Sequence, residues 1–272
     1  MDITPYLHLL RDKNGSDLFF TVGAPVKIKI EGAINSVGKT MLTGDLVQAA
    51  AYGIMNEKQI KGFEDTMECD FAIALPDKSA RFRVNIFRQR GEAAMVLRRI
   101  PVEIPNIDEL GLPEILKELV KHKHGLILMV GASGSGKSTT LAAMINERNK
   151  EMTGHILSIE DPVEFSHPNL KSIVNQREVG VDTLNYRNAL KASMREAPDV
   201  ILIGEIRDRE TMEAALKLCN TGHLAISTLH ANNANQAIER VINLFPQDLH
   251  KQLFMDLSLN LRAVVSQRLV KG

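Results

Sequence analysis

A glycine-rich loop near the middle of the chain restricts the fold more than any other feature. Residues 131–139 read GASGSGKST and satisfy the pattern G-x-x-x-x-G-K-[ST], in which glycines let backbone N–H groups face phosphate oxygens. The apolar run LILMV precedes the loop and the helical segment TTLAAMINERNK follows it. The alternative interpretation is a glycine-rich turn that matches the pattern by accident, but such a turn need not have a strand before it and a helix after it. The sequence therefore predicts a phosphate-binding loop between a strand and the positive end of a helix.

Triphosphate chemistry assigns roles to the residues of this loop. We expect Lys137 to reach the β and γ phosphates of ATP, and the Ser138 hydroxyl to ligate Mg²⁺. The remaining predicted nucleotide contacts are Gly131, Ala132, Ser133, Gly134, Ser135, Gly136 and Thr139.

Hydrolysis also needs carboxylates near the metal and the attacking water. In PDVILIGEIRD an apolar strand delivers Glu205 to its carboxyl end, where ligands of parallel sheets collect, and we expect Glu205 to act on Mg²⁺ through water. In HILSIEDPVEF another strand delivers Glu160 and Asp161, and the turn after them presents Glu164. The residues alone do not say which of these three acids is the catalytic base. A solvated acidic loop is the alternative interpretation.

The hydrophobic pattern divides the chain into two domains. Over residues 1–100, alternating segments such as VKIKI and ARFRVNIF indicate strands with one buried face, in a small α+β domain. The prolines of PVEIPNIDELGLP mark a linker over residues 101–113. Over residues 114–272, the continuous apolar runs GLILMVG, HILSIED, DVILIGE and HLAISTLH alternate with helical segments. This pattern predicts an α/β domain built on a parallel sheet, and we expect it to be truncated at its C-terminus.

Composition argues against several classes of protein. The 33 basic and 33 acidic residues cancel, and tryptophan is absent, so a nucleic-acid partner is disfavoured. Two distant cysteines support neither a disulfide framework nor a thiolate zinc site. The first residues do not resemble a secretory signal, and no apolar run approaches the roughly 18 residues of a spanning helix. We therefore expect a cytoplasmic protein that meets a membrane only through partners.

Histidines and arginines leave more alternatives open. His223 and His230 bracket one apolar strand, seven residues apart, so they cannot share a metal. At the carboxyl end His230 is either a sensor of the γ phosphate or a hydrogen-bonded structural residue. Arg81 and Arg83 share one face of a strand. Three interpretations of this basic face stay open: it supplies arginine fingers to the nucleotide of a neighbouring subunit, it binds nucleic acid, or it is a solvated sheet face.

Four motifs in this order and spacing resemble those of the secretion ATPase superfamily. GASGSGKST resembles its Walker A, IEDPVEF its Asp box, GEIRDRET its Walker B and TGHLAISTLHANN its His box. Within the superfamily the chain is most similar to the type IV pilus retraction ATPases of the PilT and PilU groups. QREVGVDT, APDVILIGEIRDRETM, LHANNANQA and DLSLNLRAVVSQRLV look more like the PilU group.

The resemblance implies a hexameric ring of subunits, each with a PAS-like N-terminal domain and a RecA-like C-terminal domain that binds ATP between subunits. It makes Glu164 the catalytic glutamate, Glu205 the Walker B glutamate and His223 and His230 the His box pair. Arginines of the N-terminal strands, including Arg81 and Arg83, would approach the nucleotide. Implied partners are a PilT-like paralogue and the inner-membrane pilus platform protein.

Three functions follow as hypotheses. The first is a Mg-ATP-dependent hexameric motor that supports pilus retraction and twitching motility. The second is a weakly hydrolysing, nucleotide-binding adaptor that assists a PilT-like paralogue. The third, a RecA-like nucleic-acid motor, is favoured only by the basic sheet face.

Family chains continue past residue 272, and they usually have threonine where this chain has Ser133.

Overall fold

The computed structural model describes residues 1–77, 79–100 and 103–270. Residues 101–102 of the predicted linker and the last two residues of the predicted second domain lie outside the described residues. The chain divides into two compact units, Met1–Val102 and Glu103–Gly272. Residues of 103–113 pack with the second unit, where Ile107 is buried in the core.

The first unit is built on an antiparallel six-stranded sheet with the strand order β3-β2-β1-β6-β5-β4. Its elements are α1 (Thr4–Asp12), β1 (Asp17–Phe20), β2 (Val26–Ile30), β3 (Ala33–Val37), α2 (Gly44–Tyr52), α3 (Glu57–Thr66), β4 (Glu68–Ala74), β5 (Arg81–Gln89) and β6 (Glu92–Ile100). Helix α3 begins with a reciprocal capping box between Asn56 and Gln59. The segment TGDLVQAAAYGIMN is helical only as far as Tyr52, where Gly53 ends α2.

Burial alternates along β5 as the sequence pattern predicts. Phe82, Val84 and Ile86 are buried, whereas Arg81 and Arg83 lie half-buried on the other face. Phe82 packs into one core with Phe20 and Phe63. One face of the sheet is thus apolar and covered, and the other carries charge.

The second unit is built on a parallel six-stranded sheet with the order β12-β7-β11-β10-β8-β9. Its elements are α4 (Ile115–Leu119), β7 (Gly125–Val130), α5 (Lys137–Glu151), β8 (Gly154–Glu160), β9 (Ser172–Glu178), α6 (Tyr186–Ser193), β10 (Val200–Glu205), α7 (Arg209–Asn220), β11 (Leu224–Leu229), α8 (Ala234–Asn243), a 3₁₀ turn (Gln247–Leu249), α9 (His250–Asn260) and β12 (Leu261–Ser266). This mixed architecture confirms the predicted fold class, which combines a parallel-sheet P-loop unit with a smaller α+β unit.

The sheet of the second unit determines where the predicted site residues meet. Every residue of β7 is buried, and the apolar side chains of β7, β10 and β11 form the cores on the two faces of the sheet. Because the strands are parallel, the loops that follow β7, β8, β10 and β11 all emerge at one edge. None of the helices in the described part of the chain is long and apolar enough to cross a membrane.

Candidate functional site

A cleft of about 420 Å³ opens at the carboxyl edge of the parallel sheet. Most of the predicted loop and acidic residues line it: Ser133, Gly134, Gly136, Lys137, Ser138, Thr139, Glu160, Asp161, Glu164, Glu205 and His230. A volume in this range is typical of sites for small molecules. The fold therefore brings together residues that are about a hundred positions apart in the sequence.

The phosphate loop ends in the first turn of α5. Gly134 and Gly136 have φ angles of 76° and 87°, in the left-handed region that favours glycine. Gly136 is the N-cap of α5 and offers no side-chain cap, so the first N–H groups of the helix are left for a ligand. The Lys137 ammonium donates hydrogen bonds to the carbonyls of Gly131 and Ala132, at 3.0 and 2.9 Å. This geometry suits an anion held by backbone N–H groups with a lysine at its side.

Glu205 is the last residue of β10 and is held from two sides. Its carboxylate accepts a hydrogen bond from Arg207 Nε at 2.6 Å and lies 2.8 Å from His230 Nε2. The Glu205 side chain is 13% exposed, whereas those of Arg207 and His230 are at least half exposed. The hydrogen bond to Glu205 and the charge of its carboxylate raise the pKa of Arg207. A partly desolvated carboxylate is thereby fixed at the cleft, in contact with both Arg207 and His230.

The acids after β8 occupy different environments. Glu160 Oε1 accepts hydrogen bonds from Ser158 Oγ at 2.7 Å and from Gln176 Nε2 at 3.2 Å. Burial raises the pKa of Glu160 above its ordinary value. Glu164 lines the same cleft but is exposed, and no hydrogen bond to its carboxylate occurs within residues 1–77, 79–100 and 103–270. Glu160 is thus held in place, whereas Glu164 and the exposed Asp161, which also lines the cleft, are both free to turn toward a bound water.

Tyr186 lines the cleft, although sequence reasoning did not select it. Its hydroxyl packs against Gly204, and a Cβ atom built on that glycine would lie only 2.7 Å from it. Burial, followed by the nearby charges of Asp161 and Glu160, raises the Tyr186 pKa, so the phenol is a hydrogen-bond donor rather than a base. The sequence points to this contact only through Gly204, the glycine just before Glu205, because a larger residue there would leave no space for the Tyr186 hydroxyl.

Gln176 and His167 also escaped sequence reasoning. The Gln176 amide donates to Phe165 O at 2.8 Å as well as to Glu160, and it accepts from the His167 N–H at 2.8 Å. Gln176 therefore ties the loop that carries Glu164 to β9. The imidazole of His167 lines the cleft, and burial lowers its pKa to about 4.

Three predicted site residues that lie outside the phosphate loop do not line the cleft. His223 precedes β11 at the opposite end from His230, where its Nδ1 is 3.0 Å from both Leu218 O and Thr221 Oγ1. Arg81 and Arg83 belong to the first unit, and Arg83 lies 3.9 Å from Asp70. The contact of these three residues with a nucleotide stays a prediction.

The donor set of the cleft fits Mg²⁺. Magnesium prefers oxygen ligands, keeps several waters and is bound by few side chains together with substrate phosphates. Ser138 and Glu205 supply a hydroxyl and a carboxylate at one cleft. Across the residues that the structure describes, no group of three or more His, Cys, Asp or Glu forms a metal cage, which a magnesium ion of this kind does not need.

Comparison with known proteins places the chain in a defined group. The family model described as Type II/IV secretion system protein matches residues 10–272. The type IV pilus ATPase PilU of Pseudomonas aeruginosa is 53% identical over 99% of this chain and 70% of its own length. The type IV pilus retraction ATPase PilT of the same organism is 44% identical over the whole of this chain and 78% of its own length.

A solved structure agrees with the sequence relatives. The crystal structure of the pilus retraction motor PilT with bound ADP superposes with a TM-score of 0.93 and 43% identity, over 99% of this chain and 79% of that one. These relatives confirm the resemblance to the PilT and PilU retraction ATPases that the four motifs predicted.

Proposed function

The chain belongs to the Type II/IV secretion system protein family, and from this membership we propose that it is a Mg-ATP-hydrolysing subunit of a hexameric motor that supports type IV pilus retraction and twitching motility. One observation carries the proposal. The phosphate loop, Glu164 and Glu205 line a single cleft at the carboxyl edge of the parallel sheet. Relatives named as ATPases and an ADP-bound structural relative support the enzyme class.

The residues of the cleft divide the work of hydrolysis. Lys137 exchanges its two loop carbonyls for the β and γ phosphates and offsets the charge that develops on them. Glu164 orients the attacking water and takes its proton. Mg²⁺, when bound, would be held by Ser138 and, through water, by Glu205, and it would neutralise phosphate charge. His230 contacts the Glu205 carboxylate and acts as the sensor of the γ phosphate in this proposal.

Assembly is the second part of the proposal. In the ring, Arg81 and Arg83 of one subunit approach the nucleotide of the next, and His223 and His230 form the His box pair. The ring works in the cytoplasm and reaches the inner membrane through the pilus platform protein, with a PilT-like paralogue as a further partner. Mass in solution with and without an ATP analogue tests this part, and a strict monomer in both conditions would contradict it.

Phosphate release by purified protein tests the chemistry. Lys137→Ala and Glu205→Gln should each lower turnover by about a hundredfold or more, because each removes a group that acts on the transition state. Glu213→Gln is the matched control, since Glu213 is an exposed glutamate on α7 whose one ion pair within the described residues is with Arg209. A Glu205→Gln protein with the turnover of the wild type would refute the assignment.

An adaptor role is the alternative within the same family. The similarity to PilU favours it, because an adaptor needs the nucleotide cleft but little hydrolysis of its own. Phosphate release measured with and without a PilT-like paralogue separates the two functions. Stimulation that depends on the paralogue's own phosphate-loop lysine would assign hydrolysis to the paralogue.

A nucleic-acid motor has less support. The basic sheet face of the first unit is partly neutralised, since Arg98 pairs with Asp17 at 2.8 Å and Arg83 lies 3.9 Å from Asp70. Salt-dependent DNA binding would restore this function as a candidate.

A further inference from the structure

Gln267, the residue directly after β12, contacts the phosphate loop at both of its ends. Strand β12 pairs with β7, and the Gln267 N–H extends the pairing by one bond to Val130 O at 2.8 Å. Val130 is the last residue before the loop. The backbone of Gln267 is therefore fixed at the point where the loop begins.

The carbonyl of Gln267 closes against the first glycine of the loop. A Cβ atom built on Gly131 would overlap this carbonyl oxygen and would lie 2.7 Å from Ser135 Oγ. Gly131 has a φ of 153°. The first glycine of the motif is thus required by its packing on Gln267 as well as by its backbone angles.

The side chain of Gln267 reaches the other end of the loop. Its Oε1 accepts a hydrogen bond at 2.8 Å from the hydroxyl of Thr140, which is buried in the first turn of α5. Its Nε2 lies 3.0 Å from the position that a Cβ atom of Gly136 would occupy. One residue therefore touches the loop at its beginning, at its last glycine and at the helix that receives it.

We propose that Gln267 is a positioning residue that holds the phosphate-binding loop in the conformation that receives the nucleotide phosphates. The inference rests on the proposed function, because it assigns no new ligand to the cleft. Its physical basis is that N–H groups bind an anion well only when they are already oriented toward it. Gln267 does not line the cleft, so we expect it to act through the loop and not on the nucleotide.

The structure provides closely matched variants. Gln267→Ala removes the side-chain contacts, whereas Thr140→Val removes only the hydroxyl and keeps the shape of the side chain. Thr140→Ser keeps the hydroxyl and serves as the conservative variant. Gln252→Ala is the control for glutamine truncation, because Gln252 lies exposed on α9 and its side chain bonds to Asp256 alone among the residues that the structure describes.

The experiment is titration of the full chain with fluorescent ADP, together with hydrogen exchange of the amides of residues 131–137 without nucleotide. Gln267→Ala should weaken ADP binding about tenfold and Thr140→Val about fivefold, as expected for the loss of a partly buried hydrogen bond. Both should speed exchange in the loop. Thr140→Ser and Gln252→Ala should bind as the wild type does. The double variant Thr140→Val with Gln267→Ala should bind no more weakly than Gln267→Ala, because both changes remove the same bond.

The results distinguish this inference from the function on which it rests. A wild type that binds no ADP would overturn both. A wild type that binds ADP, with Gln267→Ala equal to it in affinity and loop exchange, would overturn only the role of Gln267. A Gln267→Ala protein that melts earlier but keeps its ADP affinity would show a purely structural residue and would also overturn it. If Gln267→Ala does not fold, the contrast between Thr140→Val and Thr140→Ser decides the question.

Discussion

Mild acid should destabilise the second unit through one partly buried histidine, His167. The Nδ1 atom of His167 is buried and, within the described residues, without a hydrogen-bond partner, and burial lowers its pKa from 6.5 to about 4. The unfolded chain therefore binds a proton at pH values where the folded chain does not. For a base with a depressed folded pKa, stability is complete above about pH 6.5 and is lost as the pH falls toward 4.

The magnitude follows from the size of the shift. Each pKa unit corresponds to about 1.4 kcal/mol, so a shift of about 2.5 units removes about 3 kcal/mol when the pH has fallen to 4. Between pH 6.5 and 5 the loss is about 2 kcal/mol. This is a large fraction of the 5–15 kcal/mol by which domains are typically stable.

Urea unfolding followed by circular dichroism at pH 7 and pH 5 measures this effect. His167→Leu should lose about 2 kcal/mol less stability than the wild type over this interval, because the variant has no proton to bind there. The exposed His122 supplies the control, and His122→Leu should keep the pH dependence of the wild type. Burial also raises the pKa of Glu160, which acts with the opposite sign, so the difference between the wild type and the variant is the quantity to compare. Equal losses in the wild type and His167→Leu would refute the reasoning.

Two further changes test the contacts around Glu205. Gly204→Ala should lower stability by about 1–3 kcal/mol and reduce turnover, since the added Cβ would lie 2.7 Å from the Tyr186 hydroxyl and 3.2 Å from Glu160 Cα. Adding Tyr186→Phe to this variant should restore part of the melting temperature, and the absence of any restoration would contradict this account of the packing. Arg207→Gln should leave the melting temperature nearly unchanged, because the side chain is exposed. The variant should lower the Mg²⁺ concentration for half-maximal turnover by up to about fivefold, because Glu205 loses an ion pair that competes with the metal. An increased Mg²⁺ requirement would show instead that Arg207 supports the site.

The sequence predicts those parts of the site that depend on local pattern. The glycines and the lysine of residues 131–137 need only a preceding strand and a following helix, and both are visible in the chain. Glu205 and the acids after β8 follow from one further rule, that parallel strands end at the same edge. The alternation of Arg81 and Phe82 is likewise a local property of β5.

Contacts that depend on strand order could not be predicted. Thr140 and Gln267 are 127 residues apart, and they meet only because the last strand, β12, lies beside the first strand of the sheet, β7. The same holds for Tyr186, which reaches the cleft because α6 begins next to Gly204. Gln176 was missed because β9 pairs with β8, so that its amide faces Glu160 across the ladder. None of these residue types carries a signal of its own.

The packing of the loop after β8 also separates acids that the sequence left equivalent. Glu160 is partly buried, and its Oε1 is already shared by Ser158 and Gln176, so movement toward a bound water would leave the hydroxyl of the buried Ser158 without this partner and would cost the Gln176 amide one of its bonds. Gln176 at the same time holds the backbone of the loop through Phe165 O. Glu164, exposed and on the same loop, can turn to the cleft without breaking any of these bonds. The geometry therefore separates Glu160, which is held in place, from Asp161 and Glu164, which are both exposed at the cleft, and between these two it is the resemblance to the Asp box that selects Glu164.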